Sequence, residues 1–277
     1  MDAELNFPEG VGLQYSTPLF WNGPDAYEAS TSRVIATLVR HSRLFLDIGS
    51  NIGIYSVYAG VANPGVVTFA FEPVPVIWRK NISFHRANHL PEQGVLNVAL
   101  SDRIGPQKIY LPVYGTALEE EQTATLRADS WQAHEEKVEE FEIQCLTLDA
   151  FAETTPLPEG ACCLKIDVEN CEARVLRGGK QFISSRRPWI VCEILPCEDY
   201  DPATRTKRNN NRETLALVGE FNYTPFAITA DGLFRMTAAD FARPREFKDF
   251  LLAPVEKIPA DVTYLSLASL AELLPAP

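Results

Sequence analysis

The chain has no run of 18 or more apolar residues, the length a bilayer demands of a spanning helix. It also has no surplus of positive charge: 25 Lys and Arg stand against 37 Asp and Glu, a formal net charge of -12. An acidic surface repels phosphate backbones and anionic headgroups, so neither nucleic acid nor a membrane is expected as a partner. Residues 1–12 carry acids where a secretory leader would carry a basic start and an apolar stretch, and a cytoplasmic protein is expected. Cysteine spacing excludes more. Cys145, Cys162, Cys163, Cys171, Cys192 and Cys197 include no pair two residues apart, as metal knuckles and redox pairs require, so reduced buried thiols are expected. Internal repeats are missing, and Ser50 lies in no Gly-x-Ser-x-Gly elbow, which leaves a hydrolase triad unsupported.

What is present is a composition close to the globular average, 46% hydrophobic and 22% charged, in 277 residues, enough to bury a sizeable core. Short apolar runs at 44–48, 66–71, 96–99, 163–166 and 190–194 read as buried strands. Between them, 54–62 and 76–88 are helix-compatible, the first stopping at Asn63-Pro64-Gly65, and 25–40 reads as a leading helix. Such alternation predicts an α/β fold, its parallel strands joined by right-handed crossovers and covered on both faces. Downstream, 221–229 and 233–237 flank Ala230-Asp231-Gly232, which predicts an antiparallel hairpin at one edge of the sheet, with 250–253 as a further strand. The stretch 112–142, rich in acids, Thr and Gln, reads as an insertion or long loop. His85 and His89 sit one helical turn apart at a helix end and read as structural.

The most informative segment is Leu46-Asp47-Ile48-Gly49-Ser50-Asn51-Ile52-Gly53-Ile54. A buried strand ends in an acid and a Gly-containing turn that enters a helix, the place where an α/β sheet lets a ligand approach the backbone. The dinucleotide fingerprint would need glycines where Asn51 and Ile54 stand, which disfavours NAD and an NAD-dependent oxidoreductase. Without a pyrophosphate to seat, the ligand expected is a nucleoside with a charged, phosphate-free tail, and Asp47 suits an ammonium group. S-adenosylmethionine meets that description.

Further acids close the other runs. Glu72 follows the second and can accept both hydroxyl protons of a ribose; Asp102 follows the third and could accept from an adenine amino group. The fourth run embeds Lys165, Asp167, Glu169 and Glu172 in apolar sequence, and the fifth ends at Glu193, so Asp167 and Glu193 should face one crevice. Lys165, Asp167 and Glu193 are the candidates for catalytic proton transfer in that crevice. They would act directly or through a divalent ion such as Mg²⁺ held by Asp167 and Glu193.

Taken together, Phe45 to Gly53, Phe71-Glu72-Pro73, Leu148-Asp149, Lys165 to Glu169 with Glu172 and Val175 to Gly178, and Glu193 resemble the FkbM family of methyltransferases. The resemblance implies a Rossmann-like seven-strand methyltransferase fold that transfers a methyl group from S-adenosylmethionine to a hydroxyl of a sugar or natural-product small molecule. It places the cofactor on Gly49, Gly53 and Glu72, with Asp47, Asn51 and Asp102 completing the expected binding set. A single domain over 1–277 is expected: a helical segment 1–42, a cofactor-binding core 43–195 and a C-terminal part 196–277 with the edge hairpin. One departure stands out: the family usually has Gly after the Asp-Val-Glu run, and here the residue is Asn170, which tolerates left-handed backbone better than most. In 196–212, Arg205, Lys207 and Arg208 are expected to serve an acceptor site or its lid. The alternative is a non-catalytic adenosine-ligand binding protein on the same fold.

Overall fold

The computed structural model describes residues 5–8, 28–112, 138–196, 205–241 and 247–276. Its centre is a nine-stranded sheet in the order β12-β10-β9-β11-β8-β7-β1-β2-β3. The parallel half comprises β1 (Leu44–Ile48), β2 (Val67–Phe71), β3 (Val95–Leu96), β7 (Cys162–Ile166) and β8 (Trp189–Glu193). The antiparallel half comprises β9 (Tyr223–Thr229), β10 (Gly232–Arg235), β11 (Asp249–Pro254) and β12 (Tyr264–Leu265).

The expected continuous apolar runs form here because both faces are buried. Leu44, Leu46 and Ile48 enter one core cluster while Phe45 enters the other, and Cys162 and Cys163 divide the same way. The first cluster is closed by α4 (Leu148–Thr154), α5 (Glu172–Gly178), α6 (Lys180–Arg186) and α7 (Arg205–Glu220). The second is closed by α1 (Ala29–Arg40), α2 (Ile54–Ala62) and α8 (Leu267–Glu272). In α1 the buried Val34, Ile35, Leu38 and Val39 recur at helical spacing, each worth roughly 1.5 to 3 kcal/mol of apolar transfer. α3 (Pro75–Ala87) opens on a proline, whose fixed φ and missing N–H suit a helix start.

Three expectations are refined. The run 96–99 is not one strand. It splits into β3 and β4 (Ala99–Leu100), which belongs to a separate three-stranded sheet with β5 (Gly105–Pro112) and β6 (Val138–Leu146). Asn97 lies at the split, where its Nδ2 donates to the carbonyls of Glu72 and Pro73, both at 2.9 Å, and turns the chain away from the main sheet. The insertion expected at 112–142 is flanked by the β5–β6 antiparallel pair; residues 113–137 lie outside the described residues. The predicted edge hairpin is β9–β10, extended outward by β12, and the further strand expected at 250–253 is β11, which joins the hairpin to β8. The start of the helix predicted over 25–40, together with Cys197 and 197–204 of the basic segment, also lies outside the described residues. No helix among those described is long and apolar enough to cross a membrane.

Candidate active site

A cavity of about 330 Å³ opens at the carboxyl ends of β1, β2, β7 and β8, where parallel strands leave their terminal residues facing a crevice. At one end lies the turn between β1 and α2. Gly49 has φ 79° and sits so close to β7 that a Cβ there would come within 1.8 Å of the Asp167 carbonyl oxygen. Gly53 has φ 89° and Asn51 φ 49°, so with Gly49 the turn passes through left-handed backbone three times. Glu72, at the end of β2, is buried. Its Oε2 accepts from the Asn51 N–H at 3.0 Å and its Oε1 from the Val74 N–H at 2.8 Å. Burial pushes this carboxyl up to about 7. Asp47 is buried beneath the turn, and its Oδ2 accepts from the Ser56 N–H at 2.9 Å, a cap for the first turn of α2. Burial raises it to about 7 as well, against the pull of Lys165.

Apolar residues Phe71, Ile77, Ala99, Leu100 and Ile109 wall this end, the last three from the small sheet. Asp102, expected to meet an adenine amino group, does not line the cavity. Its carboxylate binds the Arg177 guanidinium, with Arg103 at 3.6 Å, because the chain leaves β4 toward α5. The sequence could show an acid at a strand end but not that the strand had left the main sheet.

The other end holds the charges. Register places Lys165 beside Asp47 on β1 and Asp249 opposite Glu193 on β8. The fully buried Lys165 Nζ lies 3.1 Å from Asp167 Oδ2, 3.4 Å from Asp249 Oδ1 and 5.6 Å from the centre of the Tyr55 ring. Burial opposes the ammonium charge, but Asp167 and Asp249 outweigh it and hold Lys165 well above its ordinary range. For Asp167 burial acts upward instead, and Lys165 reverses it, keeping the carboxyl below its ordinary value. Glu193 takes the opposite course: burial and the Asp167 charge push it up to about 9. Lys248 Nζ bridges Glu193 Oε1 at 2.6 Å and Glu28 Oε1 at 2.7 Å, and Tyr55 donates to Glu28 Oε2 at 2.5 Å. Glu193 Oε2 is buried with no hydrogen-bond partner among the described residues.

Asp167, Glu169 and Glu193 can bring one oxygen each within 4.8 Å of one another. Glu169 and Asn170 both have positive φ, 50° and 68°, so the chain makes the left-handed turn without the expected glycine. Glu172 and Asn210 secure it: Glu172 Oε1 accepts from the Asn170 N–H at 3.1 Å, and Asn210 Nδ2 reaches Glu172 Oε2 at 2.5 Å. Asp149, singled out in sequence, caps α6 through the N–H groups of Gln181 and Phe182, so it serves the scaffold.

The structure thus brings Asp47, Gly49, Asn51, Glu72, Lys165, Asp167 and Glu193 to one cavity, holds Gly53 in the same turn, and leaves Asp102 aside. It adds Glu28, Tyr55, Glu169 and Lys248, of which sequence gave no separate signal except for Glu169 within its charged run. His85, read as structural, is buried in α3 and points back at its own helix, its Nδ1 3.0 Å from the Asn81 carbonyl.

A family model described as the methyltransferase FkbM domain matches residues 47–225, more than half of the chain. The 31-O-demethyl-FK506 methyltransferase FkbM of Streptomyces tacrolimicus is 30% identical over 179 residues, 56% of this chain and 66% of its own length. Among solved structures, methyltransferase FkbM from Methylobacillus flagellatus KT superposes with a TM-score of 0.40 at 13% identity, over 76% of this chain and 43% of that one. The O-methyltransferase TomG from Streptomyces achromogenes does so with a TM-score of 0.45 at 12% identity, over 90% of each chain. Both superpositions are loose, and the family match stands without them. This chain belongs to the FkbM methyltransferase family.

Proposed function

We propose that the protein binds S-adenosylmethionine at the Gly49–Gly53 end of the cavity and methylates a hydroxyl of a small molecule held at the Asp167–Glu193 end. The observation that carries this reading is the shared cavity, with a buried carboxylate fixed by backbone N–H groups at one end and a Lys–carboxylate cluster at the other. The donor set fits the cofactor. Glu72 retains lone pairs for two ribose hydroxyls, the turn around Gly49 admits close approach, and Ala99, Leu100 and Ile109 offer an apolar wall for a base. When bound, the cofactor supplies an electrophilic methyl group on a sulfonium. The named substrate of the Streptomyces tacrolimicus relative, an O-demethyl compound, supports oxygen as the acceptor atom.

The chain's own part is to orient the hydroxyl and take its proton. Orientation can supply several kcal/mol of barrier reduction, since both reactants are held in line. Glu193 Oε2 is the natural proton acceptor: Lys248 engages the other oxygen, and burial with the neighbouring Asp167 charge gives the group high proton affinity. Lys165 keeps Asp167 ionised and thereby maintains that affinity. A Mg²⁺ ion on Asp167, Glu169 and Glu193 is the second arrangement the carboxylates allow. The metal-free form is preferred because Lys165 and Lys248 already neutralise Asp167 and Glu193 by direct contact. Calorimetry with S-adenosylhomocysteine tests the cofactor end, and transfer of labelled methyl into a small-molecule extract, resolved by mass, tests catalysis. Binding without any transfer would leave an adenosine-ligand binding protein. Turnover abolished by chelation and restored by Mg²⁺ would establish the metal form.

A further inference from the structure

Asn81 lies on α3, thirty residues beyond the turn it touches, and is fully buried. Its Nδ2 donates to Ser50 Oγ and to the Asn51 carbonyl oxygen, both at 2.9 Å. An asparagine has two amide hydrogens, and both are used on this turn. Its Oδ1 has no hydrogen-bond partner among the described residues and stands against Gly53, where a Cβ would come within 2.3 Å of it. A buried amide oxygen left without a donor lowers stability, and an apolar side chain at this position would avoid that loss. The amide is therefore explained by what its N–H groups hold.

They hold the ligand side of the turn. Asn51 is kept at φ 49°, and in that conformation its own N–H meets Glu72 Oε2 at 3.0 Å. The Gly53 N–H closes the turn on the Ser50 carbonyl at 2.8 Å, so residues 50 to 53 move as one piece. Behind Asn81, the buried His85 donates from Nδ1 to the Asn81 carbonyl at 3.0 Å and braces the helix at this point. Contacts therefore run unbroken from α3 through Asn81 and Asn51 to the Glu72 carboxylate.

We propose that Asn81 is a positioning residue for the cofactor subsite: its amide fixes Ser50 and Asn51 so that the Asn51 N–H holds Glu72 ready to receive the ribose hydroxyls. The inference rests on the cofactor reading given above. It assigns Asn81 no contact with the ligand, which agrees with its absence from the residues lining the cavity.

The test titrates S-adenosylhomocysteine calorimetrically into the full chain. Asn81→Ala removes both hydrogen bonds. Asn81→Asp keeps the size and can still accept from Ser50, but it sets an oxygen against the Asn51 carbonyl. The Kd should rise about tenfold in the first and further in the second. The double variant Asn81→Ala, Glu72→Gln should bind no more than about twofold more weakly than Glu72→Gln alone, because Asn81 acts through Glu72. A merely structural residue would multiply the two losses, and that result overturns the proposal, as does a wild-type Kd in both single variants. Should the alanine variant fail to fold, Asn81→Asp enters the same cycle, and Ser50→Ala takes its place if neither folds. Wild-type protein that binds no S-adenosylhomocysteine overturns the cofactor reading itself, whereas normal wild-type binding with unaffected variants overturns only the role of Asn81.

Discussion

Lys248 donates to Glu193 Oε1 at 2.6 Å, from the residue just before a strand that runs antiparallel to β8, and Glu193 Oε2 stays buried without a partner among the described residues. A base oriented by a third group is the general logic of positioned catalysis. Lys248→Met should lower kcat about tenfold to a hundredfold, a part of the roughly 10²–10⁴-fold that general-base catalysis supplies. S-adenosylhomocysteine affinity should stay at the wild-type level, and Lys248→Arg should recover part of the rate. Equal kcat in Lys248→Met and wild type would end this role.

At the donor end, Glu72→Ala leaves the Asn51 and Val74 N–H groups and the incoming ribose hydroxyls without their acceptor. The expected loss is roughly 1 to 3 kcal/mol in S-adenosylhomocysteine binding. Isothermal titration of the purified variant measures it, and an unchanged Kd would remove the ribose assignment.

The raised proton affinity of Glu193 has two consequences for pH. For catalysis, the ionised carboxylate is the base, so kcat should climb through the neutral range, reach half its limit near pH 9, level off only above that, and lose that dependence in Glu193→Gln. For stability the sign is opposite. The unfolded chain releases this proton near the ordinary value of 4.5 while the folded chain keeps it to about 9, so the contribution is complete at acid pH and is lost as pH rises between the two. The melting temperature of Glu193→Gln relative to wild type should therefore increase from pH 5 to pH 9. A difference that stays flat across that range would show that Glu193 titrates normally.

The basic residues Arg205, Lys207 and Arg208 open α7 on the side of the cavity where Lys207 is near enough to Glu169 to lower its proton affinity, against the stronger upward effects of burial and Asp167. Replacing all three with Ser should raise the acceptor KM and leave S-adenosylhomocysteine binding intact. Wild-type kinetics for the triple variant would reduce this segment to a solvated helix start.

Local interactions made much of this protein legible before any tertiary structure. Strands such as 44–48 are signalled by unbroken apolar runs because both faces of the sheet are covered, and the helix at 54–62 is bounded by Gly53 and by Asn63-Pro64-Gly65. The Gly49–Gly53 turn and Glu72 are visible for the same reason: left-handed backbone and a strand-end acid are set by near neighbours. The outcome for Asp102 shows the limit. Its place at a run's end is local, but the departure of Ala99–Leu100 into the small sheet follows from pairing with β6, some forty-five residues further along the chain. Glu28, Asn81 and Lys248 carry no local mark at all, being ordinary polar residues at or beside the ends of elements or on a helix. Only packing decides which polar atoms of distant segments face the cavity, and for Lys248 the deciding element is the register that sets Asp249 opposite Glu193. A slip of one residue there would turn each side chain of β11 to the other face of the sheet, so that register, not composition, completes the site.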